Sequence, residues 1–128
     1  MLGINRYDFR LTVRETRMDE ETILSEKFDA VVSNPPYVLR KDLMNLAPEI
    51  SVYEDLRALD GGAEGLDVIL PLLKLSSTVL EKGSSVFLEV DPCHPHILPS
   101  RLPDFSLHLR EVIEDFSGRE RFLVLDKV

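Results

Sequence analysis

The chain has 128 residues, is 44% hydrophobic, and carries 15 basic against 23 acidic residues, a formal charge of -8. A chain of this size forms one domain and buries roughly two-thirds of its surface; the acidic balance argues against a DNA-tracking surface, which needs clustered Lys and Arg, and permits a basic protein partner. The single cysteine excludes an intrachain disulfide and fits a reducing compartment, and no apolar run approaches the roughly 18 residues of a membrane span.

Residues 1–17 hold Arg6, Arg10, Arg14 and Arg17 against Asp8 and Glu15. That is a faint transit-peptide composition. It is outweighed by a reading in which Leu2-Gly3-Ile4 ends a helix and residues 11–15 form a strand. Phe28-Asp29-Ala30-Val31-Val32-Ser33 reads as a buried parallel strand, since such strands run near-continuously apolar when helices cover both faces. Residues 38–62 are loop-rich, with one short helix expected around Lys41–Leu46. A long loop after a strand end often forms part of a binding site. Leu66, Ile69, Leu70, Leu73 and Leu80 fall at helical spacing, which predicts a main helix from Leu66 to Leu80, closed by Lys82-Gly83. Pro71 must kink that helix or begin a second segment. A second buried parallel strand is expected over 84–90. The runs 105–112 and 121–127 flank the turn-rich Ser117-Gly118-Arg119 and predict an antiparallel hairpin.

Asn34-Pro35-Pro36-Tyr37 follows the 28–33 strand, so it sits where ligands bind in open α/β sheets. Two consecutive prolines fix φ twice and remove two N–H donors. The loop is therefore stiff and rich in acceptors. The Asn34 carboxamide adds an acceptor and two donors, and Tyr37 a flat apolar face with a polar tip. This set of groups suits a planar NH2 group, such as an amide or an exocyclic base amine. The structural alternative is a stiff strand-to-loop turn.

These residues carry a resemblance. Ser33 to Tyr37 resembles the motif of S-adenosylmethionine-dependent methyltransferases that act on planar nitrogens. Adenine-N6 DNA methyltransferases and HemK-type protein glutamine methyltransferases share it. Leu46-Ala47-Pro48-Glu49-Ile50, Tyr53-Glu54, Ala58–Asp67, Phe87-Leu88-Glu89 and Asp115–Arg121 are similar to the HemK-type pattern, in its order and spacing. The resemblance covers roughly residues 11–128 and is closest to the animal mitochondrial form; the motif, the 46–67 stretch, Phe87–Glu89 and Asp115–Arg121 make four blocks in register, which is specific.

The resemblance implies an α/β fold: the C-terminal part of a Rossmann-like methyltransferase sheet in the order 3-2-1-4-5-7-6, with strand 7 antiparallel. It implies methyl transfer from S-adenosylmethionine to the side-chain amide of the Gln in the Gly-Gly-Gln motif of peptide chain release factors. By resemblance, the Asn34 oxygen and the Pro35 carbonyl accept from the amide hydrogens and Tyr37 packs on the amide plane. Asn34 to Tyr37, Pro36 included, bind the substrate, and Asn34 borders the donor. No metal is implied, and a mitochondrial location follows from the resemblance alone. The family's Gly-rich loop should precede Asn34 by about two βα units. Only 33 residues precede it, Gly3 is their sole glycine, and the donor-binding half is expected to be absent. The unpaired strand edges and bare faces this leaves predict a marginally stable, self-associating chain. The rival readings are an adenine-N6 methyltransferase and a non-catalytic substrate-binding fragment.

Other clusters read more plainly. Glu49, Glu54, Asp55, Asp60, Glu64 and Asp67 either grip a basic loop around the target or form a solvated face with acidic bias at a helix start. Gly61, Gly62 and Gly65 set turns. Asp91, Cys93, His94 and His96 match no standard zinc spacing. Glu89 ends its strand near the expected cleft, and a structural role for it is favoured over a catalytic one.

Overall fold

The computed structural model describes residues 26–45 and 58–128. Four strands, β1 (Phe28–Ser33), β2 (Leu80–Glu89), β3 (Leu107–Glu114) and β4 (Glu120–Lys127), form one sheet in the order β1-β2-β4-β3. β1 and β2 run parallel, and β4 is antiparallel to both β2 and β3. This is the 4-5-7-6 stretch of the expected order. The fold is α/β. The expected strand at 11–15 lies outside the described residues.

Register explains burial. Val31, Val86, Leu125 and Leu109 stand opposite one another across the four strands, as do Ser33, Leu88, Leu123 and Val112. Opposed residues share a face, and on this face Val86, Leu88, Leu123 and Leu125 are buried. Helix α1 (Ile69–Val79) packs in the same cluster through Ile69, Leu72, Leu73 and Val79, joined by Leu98 and Leu102. Buried Ser76 satisfies its hydroxyl by donating to the Leu72 carbonyl at 2.8 Å.

The opposite face is open. Val32 lies opposite Phe87, and Phe122 opposite Ile113; all four are exposed, Val32 to 78%. This corrects the two-sided burial expected of 28–33. The apolar run continues through both parities, but only Val31 of the pair Val31-Val32 packs on the core. β1 is also one of the two edge strands among the described residues, β3 being the other.

The helix end differs too. The expected closure at Lys82-Gly83 falls inside β2. Leu80 ends α1, donating its N–H to the Ser76 carbonyl, and at once begins the strand. Pairing then jumps from Phe28↔Leu80 to Ala30↔Ser85, so residues 81–84 bulge outward, with Gly83 at φ 92°. Pro71 occupies the first turn of α1, between Leu70 and Leu72, whose N–H groups donate to the Leu66 and Val68 carbonyls, so it lies at the helix start and not in its middle. The short helix near 41–46 is a 3-10 segment over Arg40–Asn45. A short helix α2 (His94–Ile97) and a 3-10 turn (Leu102–Phe105) lead through left-handed Ser106 into β3, two residues later than expected. No helix among the described residues is long and apolar enough to cross a membrane.

Candidate active site

The parallel pair brings the end of β1 level with the end of β2, and β4 enters at the same edge, since Ser33 pairs with Leu88 and Glu89 with Phe122. Asn34-Pro35-Pro36-Tyr37 therefore emerges beside Glu89 and Arg121. Pro35 is buried while Asn34 is exposed. Among the described residues the Asn34 carboxamide makes no hydrogen bond. It borders two cavities. One, of about 120 Å³, is lined by Asn34 through Val38 with Ala58 and Leu59. The other, of about 240 Å³, is bounded by Val32, Ser33, Phe87, Leu88, Glu89 and Phe122. A third, of about 400 Å³, opens beside Tyr37 and takes in Asp42, Asp91, Arg119 and Arg121.

The loop beyond the motif is tied to residues 59–62. Val38 N–H donates to the Leu59 carbonyl at 3.0 Å, Gly61 N–H to Val38 at 2.9 Å, and Arg40 N–H to Gly62 at 2.9 Å. A Cβ on Gly61 would stand 2.8 Å from the Pro36 carbonyl oxygen and from Tyr37 Cα. Gly65 has φ 71°, and a Cβ there would collide with the Tyr37 carbonyl oxygen. These glycines set turns, as expected, and also let the motif's backbone approach.

Tyr37 is fixed at its tip. Its hydroxyl donates to Glu89 Oε1 at 2.6 Å and accepts from Arg121 at 2.9 Å. Burial, then the bond to Glu89, pushes the phenol up to about 12. An exposed carboxamide with no partner among the described residues, a loop tied to residues 59–62 and a tyrosine anchored at its tip thus meet at this strand end.

No family model matches the chain. It is 53% identical over 98 residues to MTRF1L release factor glutamine methyltransferase from Homo sapiens, covering 74% of this chain and 29% of that protein. A release factor glutamine methyltransferase from Gloeobacter violaceus is 34% identical, over 78% of this chain and 35% of its own length. One from Clostridium acetobutylicum is 30% identical over 95% and 43%. The chain belongs to the release factor glutamine methyltransferase family. It spans between 29% and 43% of the length of these curated relatives.

Within this family member, the other sequence candidates are engaged elsewhere. Asp60 accepts from the Gly62 N–H at 2.9 Å, which holds its carboxyl below the usual carboxylate range, and it pairs with Arg40 at 3.3 Å. Glu64 pairs with Arg101 at 3.3 Å, and Asp67 with Arg40 at 4.0 Å. Internal cations thus meet this part of the acidic segment; Glu49, Glu54 and Asp55 lie outside the described residues. The Asp91–His96 cluster has other uses. His94 is fully buried, accepting the Asp91 N–H at Nδ1 (3.1 Å), so Nε2 carries the hydrogen and donates to the Glu64 carbonyl at 2.9 Å. His96 faces Glu120 at 3.4 Å. Burial pushes the Cys93 thiol up to about 12, which leaves it a poor nucleophile. Sequence reasoning missed His94 as the pin beneath the 58–67 loop and Arg121 as the partner of Tyr37. The only hint of Arg121 was its place in the block Asp115–Arg121.

Proposed function

We propose that this chain is the C-terminal part of a methyltransferase domain that transfers a methyl group from S-adenosylmethionine to the amide nitrogen of the Gln in a release factor's Gly-Gly-Gln motif. The observation that carries the reading is the Asn34 carboxamide, unpaired among the described residues and flanked by two cavities at a sheet end where relatives bear this name. In this reading the donor supplies an electrophilic methyl group on a positive sulfonium. Among the described residues, those that fit the donor lie at its reactive end: Asn34 stands at the mouth of the mostly apolar cavity bounded by Val32, Phe87 and Phe122.

An amide nitrogen is almost non-basic, because its lone pair is delocalised into the carbonyl. Removing its proton first would be costly. Two aligned acceptors instead retain electron density on nitrogen and aim it; the N–C bond forms as the S–C bond breaks, and the surplus N–H proton leaves to water afterwards. The Asn34 oxygen and the Pro35 carbonyl serve as the acceptors, and among the described residues neither has a donor already. Pro36 keeps the loop stiff, and the Tyr37 ring supports the amide plane. Catalysis is then mainly alignment, which can supply on the order of 7–11 kcal/mol. The partner is a release factor, and the location is mitochondrial; a tagged protein of full natural length seen outside mitochondria would refute the latter.

The test is mass spectrometry of a release factor after incubation with donor and the protein at its full natural length. Asn34→Ala should lower methylation by about 10²–10³, the usual effect of losing one preorganised hydrogen-bonding group. Equal methylation by the mutant would remove Asn34 from the mechanism. Labelling of adenine in duplex DNA, with none of protein, would overturn the substrate.

A further inference from the structure

Tyr37 is held more firmly than a loop tyrosine needs to be. A half-buried phenol is satisfied by one partner. This one has a donor and an acceptor, 52 and 84 positions away in sequence, on the ends of β2 and β4. The Arg121 guanidinium also stands over the ring, 5.3 Å from its centre, so one face of Tyr37 is taken. Arg121 is braced in turn by the Asp115 carboxylate at 3.9 Å. Asp115 caps the β3–β4 turn, accepting the N–H of Ser117 at 2.8 Å and of Arg119 at 3.1 Å. The brace runs from the Asp115-capped hairpin turn to the tip of the motif's last residue.

Two of the cavities share Tyr37, Val38 and Leu59; Arg121 lines the larger and Asn34 the smaller. The ring thus stands between them with its cation on one side. We propose that Glu89 and Arg121 are positioning residues: acting through the Tyr37 hydroxyl, they hold the ring with one face covered and the other turned to Asn34, so that ring and carboxamide form a preset slot for a planar amide. The proposal rests on the methyl-transfer reading for its consequence, though not for its geometry. The bonds at the phenol tip hold χ1, and the guanidinium over the ring opposes rotation about χ2, which the tip bonds leave free because the oxygen lies on that axis.

The geometry is tested by NMR of the full-length protein, with tyrosine labelled at Cζ and the Tyr37 signal assigned by its loss in Tyr37→Phe. Glu89→Gln should shift the titration midpoint of Tyr37 downward, and both Tyr37→Phe and Arg121→Lys should move the Asn34 side-chain amide signal while the melting temperature stays near wild type. An Asn34 signal unmoved in both variants overturns the proposal, whatever the enzyme's activity. The consequence is tested by kinetics on a Gly-Gly-Gln peptide. Tyr37→Phe and Glu89→Gln should each lower kcat about tenfold, the scale of one charge-assisted bond. The double variant should be no worse than the poorer single, because both act through one hydroxyl. Arg121→Lys should recover part of what Arg121→Ala loses. Fully additive losses overturn the proposal. A wild-type protein that never methylates the peptide overturns the functional reading instead, and leaves the NMR result to decide the brace.

Discussion

β1 leaves Val32 78% exposed on an uncovered sheet face, whereas three residues further on Pro35 is buried and the chain from Val38 to Arg40 is tied to residues 59–62. The strand that delivers the motif is the more exposed of the two, and the loop the more enclosed. Rigidity at this site is therefore not inherited from a buried strand. It comes from separate stretches of chain that close on the loop: Gly61 and Gly65 beneath its backbone, His94 beneath them, and Glu89 with Arg121 at its tip. On the proposed reading the carboxamide aims at a substrate amide and needs neighbours that do not move; Glu89, His94 and Arg121 supply them from β2, α2 and β4.

Four measurements would break or sharpen that contrast. The largest effect should come from Gly65→Ala, which combines a left-handed φ of 71° with a clash against the Tyr37 carbonyl oxygen and a 2.8 Å approach to His94 Nε2. Backbone atoms cannot step aside cheaply, so about 3–5 kcal/mol should be lost in denaturant melts. A cost below about 1 kcal/mol would mean the loop is not closely packed. His94→Ala should cost about 2–4 kcal/mol, since it strands the Glu64 carbonyl and the Asp91 N–H and opens a void. Amide exchange should quicken first around residues 61–67, with the β3–β4 hairpin unaffected; uniform acceleration would contradict a local role.

The third concerns alkali. The Tyr37 phenol is raised by burial and by Glu89 to about 12, against about 10 in an unfolded chain. The folded protein keeps a proton that the unfolded chain releases, so this contribution is complete below about pH 10 and is lost as pH rises toward 12. Tyr37 is only partly buried, and solvent screening holds the effect to under about 1 kcal/mol. Tyr37→Phe should flatten the loss of stability in that window; an unchanged alkaline limb would say that the phenol titrates normally. Smallest of all, Val32→Thr on the bare face should change stability by less than about 0.5 kcal/mol. Leu88→Ala, one residue along β2 from its partner Phe87 but facing the core, should cost about 2–5 kcal/mol. Comparable costs at the two positions would show that the open face is covered in solution.

Much of this was legible in sequence, for identifiable reasons. The motif's place at a strand end followed from an apolar run meeting two prolines. The hairpin followed from a turn-rich stretch between two short runs. The strand order came from resemblance, because no local signal states which strands are neighbours. The helix end was misread because Gly after Lys is a common stop, yet Gly83 serves a bulge within β2. Two-sided burial was misread because alternation is invisible when both parities are apolar, as in Val31-Val32. The Tyr37 anchor could not be read at all: its partners lie 52 and 84 residues away, and only the folded register brings Glu89 and Arg121 to one edge.

Those separations also bear on how the chain acquires its shape. The hairpin joins residues close in sequence and needs little loop closure, while the motif's anchor closes the widest loop described here. Contacts of high sequence separation form late, after the entropy of closing the chain has been met. During synthesis Tyr37 has no Arg121 to meet until β4 has left the ribosome. The loop should therefore stay unlocked through most of folding and set last, around a sheet edge already in place.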